Sequence, residues 1–346
     1  MKKKILLVVD WNELEMDFAV PVIYRSEFGS KVNIWNCKRK VIFTNLVLQR
    51  YYEYLGAVLY VICNHRKYRY IVLWQQIIGF MIGLLPFSSI TNKTIISTVL
   101  YSDRNTKESN VKNYIFRKSI KRVGALLYYS EEMSNETKLD FPKYSEKIFS
   151  TFIPILFSTD VNLSVSKFAN IIDSNRTIFC GGRSDRDFES VILAFKNTSI
   201  PVVIVCPDEH HISNLNLVTE NIKVLRFSQV PNDEYYDLVK RSFCTMIPLR
   251  SEDSSCGQLL FSFAMNNEKP IIASDSQGVR DYIENKKNGL LVPVKNHDAL
   301  KDAYELLLED SKLRYDIIDK SKEIADKMTV TNYLEKTFQI IELLPN

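Results

Sequence analysis

The chain has 346 residues, 46% of them hydrophobic and 25% charged, which excludes a disordered or fibrous protein and fits two globular domains of about 150 to 180 residues. Six cysteines stand far apart without a CxxC pair, which argues against a disulfide scaffold and reads as reduced, mostly buried thiols. Residues 1–150 hold 23 Lys and Arg against 13 Asp and Glu, while residues 151–346 hold 22 against 28; the basic half points to an anionic partner, a membrane surface or a phosphate-bearing acceptor rather than nucleic acid.

In chain order, Met1-Lys2-Lys3-Lys4 has the basic start of a signal peptide, but the apolar run Ile5 to Val9 stops after five residues at Asp10 and reads as a first buried strand. The loop Asp10 to Asp17 carries Trp11-Asn12-Glu13-Leu14 in place of a glycine-rich turn, so there is no nucleotide fingerprint at this end. Further strand-like runs fall at Lys31 to Trp35, Tyr70 to Leu73, Thr94 to Leu100, Ala125 to Tyr129 and Ile148 to Ile155, with helix-like segments at Phe43 to Tyr60 and Asn110 to Val123 between them. This alternation predicts a doubly wound α/β domain.

Tyr70 to Phe87 is the one long apolar run, and it reads as a strand followed by a helix that is buried or lies against a membrane rather than as a span. Asn110 to Val123 sets Lys112, Arg117, Lys118, Lys121 and Arg122 against Val111, Ile115, Phe116 and Ile120. That pattern suits either a helix on anionic lipid or a surface helix with one face in the core. His65-Arg66-Lys67-Tyr68-Arg69 adds a second basic cluster. The domain boundary is expected between 155 and 165, giving domains 1–158 and 159–346.

The second domain opens with a strand at Thr177 to Cys180 and the turn Gly181-Gly182-Arg183-Ser184-Asp185-Arg186-Asp187-Phe188. Gly181 and Gly182 permit close backbone approach, and Arg183 and Arg186 offer forked donors suited to a diphosphate. Asp185-Arg186-Asp187 spells a DxD, a weak metal signal here; Asp187 reads more simply as a helix-start residue. Strands follow at Pro201 to Cys206, Asn221 to Phe227 and Cys244 to Ile247, with a helix through Tyr235 to Lys240. The loop Ser254-Ser255-Cys256-Gly257-Gln258 then enters the helix Leu259 to Asn266, and a strand runs from Ile271 to Ser274. Ser255 or Cys256 is expected to cap that helix, with Gly257 admitting an anion to its first turn. Asn288-Gly289 marks a later turn.

Ser255-Cys256-Gly257-Gln258, Ala264-Met265, Lys269-Pro270-Ile271-Ile272-Ala273-Ser274, Gly278-Val279-Arg280-Asp281-Tyr282 and Asn288 to Val292 together resemble the donor segment of the retaining GT-B glycosyltransferases, family 4 or group 1, in a Ser-Gly-Gln loop variant. The likeness is specific over 177–345 and architectural before it. By register the family's two acidic positions fall on Ser255 and Phe263.

The resemblance implies an α/β, GT-B fold of two Rossmann-like domains facing across a cleft, acceptor side first and donor side second, with the last helix packing back on the first domain. It implies that Arg183 and Arg186 hold the donor diphosphate, that Gly181, Gly182, Ser255, Cys256, Gly257, Gln258 and Leu259 complete that site, and that Phe227 and Val230 line the base. It further implies a hexosyltransferase with no metal or cofactor, moving a sugar from a nucleotide-diphosphate sugar to a hydroxyl of a saccharide or polyprenyl-diphosphate-linked acceptor. Such chemistry suits cell-surface polysaccharide (capsule or exopolysaccharide) assembly in a bacterium, cytoplasmic or peripheral on the inner face of the membrane. A retaining reaction needs no enzymatic base; an inverting one would draw it from Asp10 or Asp103. Two other classes are a non-catalytic GT-B subunit that binds sugar or nucleotide beside a partner transferase, and a nucleotide-sugar epimerase using His210-His211.

Overall fold

The structure, a computed structural model, describes residues 5–38, 40–99, 110–156, 175–210, 212 and 218–344. The chain divides into two compact units, residues 1–157 with 329–346 and residues 158–328.

The first unit holds a parallel sheet of β1 (Ile5–Val9), β2 (Val32–Asn36), β3 (Tyr70–Leu73), β4 (Thr94–Val99), β5 (Ala125–Tyr128) and β6 (Ile148–Ser150), ordered β2-β1-β3-β4-β5-β6. Every residue of β1, β3 and β5 is buried, as expected where helices cover both faces of a parallel sheet and the strands become continuous apolar runs. Register is set by pairs such as Ile5 with Val32 and Tyr70. The helix Glu13–Arg25 opens with a reciprocal capping box: the Asn12 side chain accepts from Glu15 N, and Glu15 Oε2 accepts from Asn12 N at 2.6 Å.

Of the run after β3, the helix Gln76–Gly83 buries Ile78 and Ile82. Gly79 lets it lie directly on Ile96, because a Cβ there would come within 2.5 Å of that side chain. Helix Asn110–Arg122 turns Phe116 and Ile120 into the core and leaves Arg117, Lys118 and Lys121 exposed. Phe116 and Ile120 pack in the core as the second of the two readings expects, while Val111 of the same apolar set is 64% exposed. Helix Val330–Leu343 also packs in this unit, with the Tyr333 hydroxyl 2.7 Å from Ser97 Oγ and its ring against Trp74. Among the described residues no helix is long and apolar enough to cross a membrane.

The second unit repeats the plan with β7 (Ile178–Gly181), β8 (Val202–Cys206), β9 (Ile222–Arg226), β10 (Cys244–Ile247), β11 (Ile271–Ser274) and β12 (Leu290–Val292), ordered β12-β11-β10-β7-β8-β9 and parallel throughout. The chain builds outward from β7 through β8 to β9, then crosses back to lay β10 on the other side of β7, pairing Cys244 with Ile178 and Met246 with Cys180. That reversal makes the carboxyl ends of β7 and β10 a topological switch point, the place where an open α/β sheet leaves a crevice. Phe188, Val191, Ile192 and Phe195 of the helix Phe188–Phe195 form one side of the core, with Tyr304 and Leu307 packed on them. The cysteines are all free; Cys37, Cys180, Cys206 and Cys244 are buried, Cys256 is half-buried and Cys63 is exposed.

Candidate active site

The turn Gly181–Asp187 leaves β7 and the loop Pro248–Gly257 leaves β10, side by side at the switch point of the second sheet. Backbone bonds lace them together: Asp187 N donates to Pro248 O at 3.1 Å, and Arg250 N to Asp185 O at 3.3 Å. Arg186 and Leu249 form an isolated antiparallel bridge. The turn is tight because Gly182 takes φ +137° and Asp185 φ +53°. A Cβ on Gly182 would run into the Arg186 guanidinium.

The two arginines have different surroundings. Arg186 is 5% exposed; its Nε donates to Gly181 O at 2.9 Å and its Nη1 to Ser184 O at 2.8 Å. The guanidinium predicted to grip a diphosphate is thus folded into its own turn, where it donates to two backbone carbonyls. Arg183 is exposed, and its guanidinium carbon lies 4.5 Å over the Phe227 ring. Phe227 in turn stacks on Tyr235 at 5.6 Å, and the Tyr235 hydroxyl sits so close to Gly181 that a Cβ there would meet it at 2.6 Å. Val230 is buried, closing the turn after β9. Asp187 caps the helix Phe188–Phe195: Oδ1 accepts from Ser190 N and Oδ2 from Ser190 Oγ at 2.6 Å. Among the described residues no group of three metal-ligating side chains forms.

On the β10 side the helix spans Gln258–Asn266, and its N-cap is Gly257 at φ +113°, with no side-chain capping bond. This corrects the expected cap at Ser255 or Cys256: the left-handed backbone puts those side chains one step outside the helix. Leu260 and Phe261 donate back to Gly257 O, and none of the described residues accepts from the N–H groups of Gly257, Gln258 or Leu259. They face outward at the positive end of the helix dipole. Leu259 is 49% exposed beside them. Gln258 is buried and its Nε2 donates to Ser255 O at 2.6 Å, so it holds the loop rather than reaching outward.

Gly278 N donates to Ser254 O at 3.0 Å and Gln277 N to Glu252 O at 2.8 Å, seating the loop on the turn after β11. Three hydroxyls at this seam, Ser254 Oγ, Ser255 Oγ and Ser276 Oγ, are buried without a hydrogen-bond partner among the described residues. A buried, unpaired hydroxyl is costly unless a ligand or ion completes it. Burial pushes the Cys256 thiol up, against the pull of nearby Arg186, so it is a neutral donor and not a thiolate nucleophile. Phe263 is buried against the Tyr236 ring at 4.5 Å, so no carboxylate stands at that position.

Sequence reasoning missed Tyr235, Ser276 and the rim formed by Arg250, whose Nη2 lies 3.4 Å from both Glu189 Oε2 and His210 Nε2. Ser276 was findable, since it follows the carboxyl end of a predicted strand; Tyr235 and Arg250 carried no local signal. Burial and Arg250 hold the His210 imidazole below its usual range.

In the first unit Asp10 and Gln75 stand at the carboxyl ends of β1 and β3, the switch point of that sheet, with Gln75 Nε2 donating to Asp10 Oδ2 at 2.7 Å. Burial raises the Asp10 carboxyl, opposed by Lys38. Trp11 lies edge-on to Trp74 at 5.2 Å, and its buried indole N–H has no partner among the described residues. Asp103 and His211 lie outside the described residues.

Residues 170–324 match the family model described as glycosyl transferases group 1. Among solved structures the chain is similar to Anabaena Alr3699/HepE in complex with UDP-glucose, at 15% identity and TM-score 0.65 over 98% of both chains. It is similar to sucrose-phosphate synthase from Thermosynechococcus elongatus at 12% identity and TM-score 0.67, covering 98% of this chain and 99% of that one. A glycosyltransferase from Rickettsia africae matches at 14% identity and TM-score 0.63 over 99% of both. No curated protein sequence matches the chain. At these identities the structural likeness establishes the fold, which is GT-B.

Proposed function

Starting from residues 170–324 as a group 1 glycosyl transferase domain on a GT-B scaffold, we propose that the protein moves a sugar from a nucleotide-diphosphate sugar to a hydroxyl of a saccharide or lipid-linked saccharide. The reading includes retention of anomeric configuration, independence of metal, and a place in cell-surface polysaccharide synthesis.

One observation carries it: unsatisfied donors converge at the switch point of the second sheet. The N–H groups of Gly257, Gln258 and Leu259 point out of the helix, and the hydroxyls of Ser255 and Ser276 lack partners among the described residues. Arg183 supplies the exposed guanidinium. In the proposed reaction the bond between the anomeric carbon and the diphosphate oxygen breaks while the acceptor oxygen bonds that carbon on the same face. The acceptor proton passes to the departing phosphate oxygen. Negative charge grows on the diphosphate, and fixed donors aimed at it lower the barrier. Arg186 supports this indirectly by fixing the turn that carries Arg183. The stacked rings of Phe227 and Tyr235 are the platform for the base.

A second reading, a GT-B subunit that binds nucleotide without turnover, is favoured by Phe263, which fills with core what a family carboxylate would occupy. Calorimetric titration of UDP, GDP, CDP and their sugars, first without metal and then with Mg, tests the donor site. Metal-free binding of one nucleotide supports it, and no binding to any of them overturns it. Binding together with slow release of free sugar supports transfer; binding with no hydrolysis or transfer to any saccharide favours the subunit. The anomeric configuration of a product, read by NMR, separates retention from an inverting reaction based on Asp10.

A further inference from the structure

The helix Leu46–Asn64 is apolar on both of its faces. Ala57, Val58 and Val61 face into the first unit's core with Tyr54. Leu48, Tyr51, Tyr52, Leu55 and Leu59 recur at spacings of three and four on the opposite side and are 40% to 62% exposed. Arg50 and Glu53 are the helix's ionised side chains. A helix apolar all round is normally enclosed, yet this one turns a stripe about 17 Å long to solvent.

The stripe continues into the segment before the helix. Val41 is 72% exposed and Ile42 61%, and they are held in place, because Gln49 Oε1 accepts from Ile42 N at 3.0 Å and from Phe43 N at 3.2 Å. The Phe43 ring meets that of Tyr52 at 6.0 Å, joining segment and stripe into one patch. Contiguous apolar surface of this kind marks a docking face.

The rim identifies the partner. Lys38 and Lys40 are exposed just before the patch, and Arg66, Lys67 and Arg69 just after it. Residues 38–69 hold seven Lys and Arg against one Glu. We infer that this face docks on an anionic bilayer, the leucines and tyrosines entering the boundary between headgroups and acyl chains while the rim pairs with acidic headgroups. A second copy of the chain is the poorer occupant, since a two-fold pairing through this face would set one basic rim against another with only Glu53 in each copy to offset seven Lys and Arg. The inner face of the helix is committed to the core, so the helix lies in the membrane plane. The inference goes beyond the donor-site reading and does not depend on it.

The test is sedimentation of the full-length protein with vesicles of phosphatidylcholine alone or with about 30% phosphatidylglycerol, at low salt and at about 0.5 M salt. Anionic vesicles are expected to bind at least tenfold better than neutral ones, and high salt to weaken binding. Leu55→Glu with Leu59→Glu is expected to reduce binding at least tenfold with the thermal midpoint and nucleotide titration unchanged. Arg66→Gln with Lys67→Gln, outside the helix, is expected to reduce it severalfold and serves should the leucine variant fail to fold. Equal binding to neutral and anionic vesicles, or no loss in either double variant, overturns the inference. So does a dimer in sedimentation equilibrium that the leucine variant dissolves while vesicle binding stays as in the wild type.

Discussion

Arg186 Nε donates to the carbonyl oxygen of Gly181 across 2.9 Å, and this bond separates the roles of two arginines that look alike in the sequence. Removing the side chain takes a donor from the carbonyls of Gly181 and Ser184, the latter now held at 2.8 Å by Nη1. Each abandoned acceptor costs about 1–3 kcal/mol where it is buried. Arg186→Ala is therefore expected to lower stability by about 2–4 kcal/mol, read in the urea unfolding transition, with Arg186→Lys recovering only part because an ammonium lacks the fork. Arg183→Ala gives up one exposed cation–π contact, about 0.5–1 kcal/mol, and is expected to weaken binding of a nucleoside diphosphate about tenfold. If Arg183→Ala destabilises more than Arg186→Ala, the assignment is reversed.

Ser255 offers a prediction of opposite sign in the free and bound protein. Its hydroxyl is buried and unpaired among the described residues, so Ser255→Ala removes an unsatisfied group and is expected to leave the unliganded protein as stable as before, or more stable by up to about 1 kcal/mol. The same change removes a donor from the proposed diphosphate site, so the rise in thermal midpoint on adding nucleotide is expected to shrink. A variant that loses stability without ligand and keeps the full ligand-induced rise would mean that the hydroxyl is structural.

Glycine at 278 is fixed by contact rather than by backbone angle. A Cβ there would collide with the backbone at Ser255, so Gly278→Ala displaces the loop leading to Gly257 and is expected to weaken nucleotide binding at least tenfold, as titration would show. Gly56 is the control: a Cβ there meets nothing within 4 Å, inside the helix Leu46–Asn64. Gly56→Ala is expected to stabilise by roughly 0.5–1 kcal/mol with binding unchanged. Similar effects of the two changes on binding would show that the turn does not support the site.

Much of this was legible in the residues themselves. β3, β10 and β11 coincide with the apolar runs that predicted them, because strands buried on both faces have no polar alternation to blur their ends. β6 stops at Ser150, short of the predicted Ile155, and an apolar run ahead of Pro154 carries no signal of where pairing ends. Which arginine faces outward depended on Gly182 and on a bridge to Leu249, a partner far along the chain that no local pattern reveals. The cap at Gly257 was likewise decided by the packing of its loop on Gly278. The segment Phe43 to Tyr60 reads as a helix, but periodicity cannot say which apolar face of it the fold leaves uncovered. In the basic helix Asn110–Arg122 the core takes Phe116 and Ile120 and leaves Val111 exposed.

Glu15 gives a pH dependence whose sign follows from its surroundings. Burial pushes its carboxyl from 4.5 up to about 6, although the Asn12 N–H and Lys38 favour the charged form. In the folded protein the group holds its proton more tightly than in the unfolded chain, so between about pH 4.5 and pH 6 the native state binds more protons and stability falls as pH rises. Below pH 4.5 both states are protonated and the penalty is absent; above pH 6 it is fully present, at up to about 2 kcal/mol. Glu15→Gln can keep the geometry of the capping box without the charge. The variant is expected to match the wild type near pH 4 and to exceed it at pH 8, with the gap opening across that window in thermal unfolding of the intact protein. A gap that is constant with pH would mean the carboxylate is solvated well enough to ionise freely, and a variant less stable at pH 8 would mean that its charged bond to Asn12 outweighs the cost of burying it.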